Sequence, residues 1–187
     1  MRTRTLPNER LIAALKSSII LQNLSARELR RFAKACEPRD YESGESLVEQ
    51  DAIGSDLHIL LEGSVDISVR NKGGEAVKVS EVRKGDVFGE ASIFMDLPRT
   101  ASALARTSCL VAAVSRDRLF AFCGRNPRAG LKIFGFVIYS LLRRLGSTSR
   151  ELAAQRESVI TASDLEELGA CFPASLEDML GTGGWKG

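Results

Sequence analysis

Between Arg39 and Ser115 the chain breaks into short apolar–polar alternations separated by glycines, and that texture leaves few folds open. Period-two alternation places successive side chains on opposite faces of a strand. The runs that read as strands are Ser46–Gln50, Leu57–Leu61, Ser64–Arg70, Ala76–Val82, Thr100–Ala105 and Leu110–Ser115. Gly44, Gly54, Gly63, Gly73, Gly74 and Gly85 fall between them, where tight turns need positive φ. Many short antiparallel strands at close spacing predict a mainly β domain, either a jelly roll or a small barrel.

Helical periodicity returns on both flanks. Leu11, Ile12, Leu15 and Ile19 share a helix face. Ser25-Ala-Arg-Glu28 reads as a capping box opening a second helix, which Pro38 ends. Arg116–Arg125 reads as a short helix stopped by Gly124 and Asn126-Pro127, and a longer one starts near Pro127. In it Leu131, Phe134, Ile138, Leu141, Leu145, Leu152 and Val159 fit an a/d heptad, with Thr148 and Gln155 as polar members. Such a stripe either packs on its own domain or forms a two-helix dimer seam over residues 131–159. Gly146 weakens the helix, and Thr148-x-x-Glu151 could cap a fresh one there. The division predicted is a helical lead-in (1–22), a β domain (23–126), a lid or dimerisation helix (127–160) and an acidic tail (161–187). Short helices are expected at 163–168 and 175–180 of that tail, with Phe172 and Trp185 as docking side chains.

Charge and cysteine content exclude several classes. The net charge of +2 gives no global basic field, although residues 1–40 carry nine Lys/Arg against four acids and residues 116–156 nine against two. Cys36, Cys109, Cys123 and Cys171 lie far apart without a CxxC, which argues against a zinc site or a disulfide framework and for reduced thiols in the cytoplasm. No signal peptide is read at the N-terminus, and the most apolar window, residues 131–142, is too short to span a bilayer. His58 is the only histidine, which argues against a metal-dependent enzyme and marks it as a structural strand residue.

The chemistry concentrates in Phe88–Ala103, FGEASIFMDLPRTASA. A strand ending at Phe88, a turn at Gly89 and a short helix over Glu90–Met95 would aim free amides at an anion. Pro98 stops that helix, and Arg99, Thr100 and Ala101 begin the next strand. Arg99 offers a planar fork for phosphate, whereas Glu90 suits a hydroxyl donor and would repel a second phosphate. Ser92 and Ala101 are small enough to let a ligand approach. One arginine without a metal-binding carboxylate cluster fits a singly charged sugar phosphate and not a triphosphate.

FGEASIFMDLPRTA resembles the phosphate-binding cassette of the cyclic nucleotide-binding domain family: F-G-E, a short helix, then P-R-(T/S/A)-A at the same nine-residue spacing. Gly44, Leu61-Glu62-Gly63 and the Lys84-Gly85-Asp86-x-Phe88 lead-in support the resemblance, which runs from about Asn23 to Leu145. It implies an eight-stranded jelly-roll β-barrel with flanking N-terminal and C-terminal α-helices. It also implies a cradle of Phe88, Gly89, Glu90, Ala91, Ser92, Arg99, Thr100 and Ala101. Arg99 would pair with the exocyclic oxygens of the cyclic phosphate and Glu90 would accept from the ribose 2′-hydroxyl. Backbone groups of Gly89, Ala91 and Ser92 would complete the site, and Thr100 would add a hydroxyl near the phosphate or base. Ala91, Ser92 and Asp96 depart mildly from the family pattern. The helix after the β domain would close over the base, with Phe136, Tyr139, Leu142 and Arg143 as candidate contacts.

The function this implies is a non-catalytic regulatory module binding cyclic AMP, or cyclic GMP, with no metal or other cofactor. Its partners would be a second copy of itself or an unidentified effector protein. The residues after Glu157 hold five acids against one lysine, the wrong sign for phosphate contacts, so no autonomous DNA binding and no membrane association are expected. The alternatives are a degenerate domain acting as an interaction scaffold, or a regulator that reaches DNA only through a partner.

Overall fold

Placing β-forming residues on both sides of a buried layer requires strands with two apolar faces, and the middle of this chain supplies two. The computed structural model describes residues 2–3, 6–94 and 98–157. The expectations for Met95, Asp96, Val159 and the 161–187 tail, including its short helices, Phe172 and Trp185, lie outside them. The chain divides into two units, residues 1–140 and 141–187. In chain order the elements are β1 (Arg2–Thr3), α1 (Asn8–Lys16), α2 (Ala26–Ala33), β2 (Glu37–Tyr41), β3 (Ser46–Val48), β4 (Asp56–Glu62) and β5 (Ser64–Arg70). There follow β6 (Ala76–Arg83), β7 (Val87–Phe88), α3 (Ala91–Phe94), β8 (Ser102–Ala105), β9 (Cys109–Ser115), α4 (Arg116–Arg125) and α5 (Pro127–Glu157).

The eight-stranded barrel expected from the sequence does not form. The strands make two open antiparallel sheets, one of five in the order β1-β2-β9-β4-β7 and one of four in the order β3-β8-β5-β6. Among the described residues no ladder joins the two. Closure needs edge strands that pair along their length. Here the edges β1 and β7 have two residues each and β3 has three, too few to zip the sheets together. The chain changes sheets between β4 and β5 at Gly63, whose φ is +91°. A Cβ there would sit 2.4 Å from the Ser108 carbonyl oxygen, so only glycine fits this corner.

Two cores result. Leu60, Val65, Val82, Phe88, Ala103, Ala105 and Val111 fill the space between the sheets. Leu57, Ile59 and Leu61 on the other face of β4, with Ala112 and Val114 of β9, meet Leu15, Phe32, Leu119, Phe122 and Ile133 from the helices. Strands buried on both faces lose their polar alternation, which explains the near-continuous apolar runs LHILL and CLVAAV. β2 carries Pro38 and three charged residues, and sequence reasoning saw only a helix stop there. Its Arg39 is held by Glu37 at 3.1 Å and by Asp56 at 3.0 Å, so Glu37 and Arg39 of this strand are paired within the fold.

The capping box forms as expected. The Ser25 amide donates to Glu28 Oε2 at 2.7 Å, and the Glu28 amide donates to Ser25 Oγ at 3.3 Å. The same carboxylate meets Lys132 Nζ at 3.3 Å, tying α2 to the start of α5. Ser25→Ala is expected to cost about 1 kcal/mol, read as a lowered thermal midpoint. Helix α1 stops at Lys16, earlier than the predicted Leu21, and α5 continues through Gly146. The heptad stripe of α5 packs inward only in part: Leu131 and Ile138 are exposed and Phe134 is partly buried against the core, while Ala129, Ile133 and Val137 face it. Burial pushes the thiols of Cys36, Cys109 and Cys123 up, so none is poised as a reactive thiolate at neutral pH.

Candidate functional site

β7 pairs with β4 in a register that sets Phe88 opposite His58 and Val87 opposite Ile59. Gly89 then turns the chain with φ +76°. A Cβ at Gly89 would lie 2.8 Å from Arg99 Nη1, 2.9 Å from the Asp56 carbonyl oxygen and 3.2 Å from His58 Nδ1. The glycine is required both for the turn and for the close approach of Arg99. Helix α3 begins two residues later, shorter than predicted over its described residues.

Arg99 is fixed at backbone and side chain. Its amide donates to the Ala52 carbonyl at 2.9 Å, and its carbonyl accepts from the Asp51 amide at 2.8 Å. Nη1 donates to Ser92 Oγ at 2.8 Å and to the Gly89 carbonyl at 3.2 Å; Nη2 donates to the Asp56 carbonyl at 3.1 Å. The side chain is buried, with 6% of the residue exposed. Among the described residues these hydrogen bonds all end on neutral oxygens. Burial therefore lowers the Arg99 pKa, against the attraction of the Asp56 and Glu90 carboxylates.

The structure brings Phe88, Gly89, Ser92 and Arg99 together, with Glu90 buried beside them. Ala91 and Thr100 are exposed and Ala101 is half-buried. A cavity of about 560 Å³ opens beside the guanidinium, bounded by Arg39, Glu49, Gly54, Asp56 and His58, and of the eight predicted residues only Arg99 lines it. Sequence reasoning missed Gly54, whose Cβ would crowd Arg99 Nε and Nη2 at 3.1 Å, and Asp56, whose carbonyl holds Nη2. The glycine before β4 was the available signal. Arg116, the first residue of α4, donates to the Ser92 carbonyl. Phe94 of α3 packs on Phe134 of α5 at 5.5 Å, and Phe134 packs on Phe120 of α4 at 5.9 Å.

His58 lies on a strand as expected, yet it belongs to this site. It is stacked on Phe88 at 4.9 Å, and its buried Nδ1 has no hydrogen-bond partner among the described residues. Burial first, then the nearby Arg99 charge, pushes its pKa from 6.5 down to about 4, while Asp56 opposes the shift. Between those values the unfolded chain binds the proton and the folded one does not. Stability is therefore expected to fall as pH drops from 6.5 towards 4, by about 3 kcal/mol in all, and His58→Gln should flatten that limb of a urea-midpoint profile. Among the described residues no group of three or more His, Cys, Asp or Glu could hold a metal ion, and no helix is long and apolar enough to cross a membrane.

An open two-sheet module that buries one arginine at a strand-to-helix turn is the class these features define. Residues 38–126, just under half of the chain, match the family model of the cyclic nucleotide-binding domain. A cAMP-dependent protein kinase regulatory subunit from Eremothecium gossypii is 33% identical over 103 residues, 55% of this chain and 22% of that protein. The regulatory domain of Toxoplasma gondii PKA, solved with cAMP, superposes with a TM-score of 0.58 at 28% identity, covering 63% of this chain and 45% of that one. The regulatory subunit of a cAMP-independent protein kinase A from Trypanosoma brucei shares the fold at TM-score 0.66 and 24% identity, covering 78% of this chain and 51% of that one. The chain thus spans about half or less of each of these relatives.

Proposed function

We propose that the segment 38–126 is a regulatory sensor that binds a cyclic mononucleotide, cyclic AMP ahead of cyclic GMP, in the cradle Phe88–Ser92 with Arg99–Ala101. The observation that carries this reading is Arg99, a cation with 6% exposure whose hydrogen bonds end on two carbonyls and a hydroxyl. Among the described residues Arg99 has no ion-paired anion; a buried charge in that state is costly, and a cyclic phosphate supplies the anion. Arg99 exchanges neutral acceptors for the exocyclic phosphate oxygens, and the amides of Gly89, Ala91 and Ser92 complete the cradle. Glu90 accepts from the ribose 2′-hydroxyl, while Thr100 and Ala101 line the exposed rim. One negative charge is neutralised by one arginine, which fits a cyclic monophosphate better than a linear one.

Ligand binding would be felt in the helices through two links. Ser92, whose hydroxyl oxygen accepts from Arg99, also accepts through its carbonyl from Arg116 at the start of α4. Phe94 reaches Phe134 of α5. Rearrangement of Arg99 changes the position of α3 and so biases α4 and the first turns of α5 between two states, by no more than the ligand's differential affinity for them. The exposed Leu131 and Ile138 of α5 suit a homodimer seam, and an effector protein is the other candidate for that face. A cytoplasmic setting fits the separate, buried thiols.

One observation favours a second reading, an interaction scaffold that binds no nucleotide: all of Arg99's described hydrogen bonds are already made inside the fold. Isothermal calorimetry with cyclic AMP, cyclic GMP, a cyclic dinucleotide and linear 5′-AMP separates the two. Saturable heat at one site with a cyclic mononucleotide, and little with 5′-AMP, is expected. Absence of heat with every nucleotide would leave the scaffold.

A further inference from the structure

Parts of the two basic segments of the sequence, in α2 and in α4, meet within the first unit. Arg31 and Lys34, from α2 and its C-terminal end, and Arg118 and Arg125, from α4, line a groove of about 570 Å³. Among the described residues no carboxylate lines it. Among the described residues none of these four cations is ion-paired, whereas Arg39, Lys78, Arg83 and Arg106 all are. Glu28, the acid of α2, is turned instead to Ser25 and Lys132. Arg31 Nη1 donates to Asn126 Oδ1 at 2.7 Å, which holds one guanidinium in place at the groove wall. The floor is apolar: Phe122 is 94% buried there, edge-on to Phe32 at 5.2 Å.

Four like charges gathered without counter-ions repel one another and favour an anionic partner. We propose that this groove docks an acidic peptide segment of a partner protein. Its carboxylates would meet Arg31, Lys34, Arg118 and Arg125, and one apolar side chain would rest above Phe122. Phe122 is 94% buried and leaves too little ring surface for a base to stack on, unlike the aromatic platforms of single-strand binders. Among the described residues no large exposed apolar side chain lines the groove, and a membrane-surface site needs them beside its cations. A compact groove between two short helices with a small apolar floor matches a short acidic peptide instead.

The test uses the full chain and fluorescence anisotropy with a labelled short peptide of alternating Glu and Leu. Its Gln-Leu counterpart, a single-stranded oligonucleotide and phosphatidylserine vesicles are the comparison probes. Saturable binding of the Glu-Leu peptide that weakens with salt is expected, lost roughly tenfold or more in both Lys34→Glu/Arg125→Glu and Arg118→Glu/Arg125→Glu. These are exposed positions, and unchanged thermal midpoints would show that both variants fold. Equal affinity for the Gln-Leu peptide, or undiminished binding by both folded variants, would overturn the proposal. So would an oligonucleotide or vesicle that binds more tightly than the peptide and is lost in the same variants.

Discussion

Arg99→Ala is expected to weaken cyclic AMP binding by about 3 kcal/mol, roughly a hundredfold, with the fold retained. The arginine supplies the single buried cation of the cradle, so its loss removes the phosphate's counter-charge and leaves the Gly89 and Asp56 carbonyls and the Ser92 hydroxyl to other partners. Arg99→Lys should recover part of the affinity, because an ammonium keeps the charge but not the planar fork. Calorimetric titration of both variants reads the difference. Unchanged affinity in Arg99→Ala would place the nucleotide elsewhere.

Gly89→Ala is expected to damage stability and binding together. Its φ of +76° is a left-handed conformation, and the added methyl would lie 2.8 Å from Arg99 Nη1 and 2.9 Å from the Asp56 carbonyl oxygen. Backbone strain and displacement of Arg99 together should cost about 3 kcal/mol, a fall in thermal midpoint of about 10 °C. Gly74→Ala is the control, since Gly74 has φ +83° with nothing within 4 Å of its would-be Cβ. It should show the strain alone, about 1 kcal/mol. Equal losses in the two variants would remove the argument that Gly89 is needed for the approach of Arg99.

The local signals in the sequence were read well where they depend on neighbours in the chain. The Ser25–Glu28 capping box, the strand Ser64–Arg70 and helix Arg116–Arg125 all form, because turn chemistry and periodicity act over a few residues. The grouping of Gly89, Ser92 and Arg99 was legible for the same reason, since they lie within one short stretch. What depended on distant pairing was not. β2 reads as a polar segment with a proline, and only Asp56, far along the chain, explains why Arg39 sits in a strand. Whether short strands close into a barrel or stop as two sheets depends on edge lengths that alternation does not encode. The a/d stripe of α5 has the same period as a buried stripe, so periodicity could not tell that Ala129, Ile133 and Val137 would face the core. His58 looked like an ordinary strand residue, and its place beside Arg99 follows from the β4–β7 register.

The most direct measurement is a crystal structure of the full chain with cyclic AMP. The account predicts the exocyclic phosphate oxygens within hydrogen-bond distance of Arg99 and the ribose 2′-hydroxyl on Glu90, with at least one of the Arg99 bonds to Gly89 or Ser92 exchanged. A nucleotide seated away from Arg99, with all three of its present bonds intact, would contradict it.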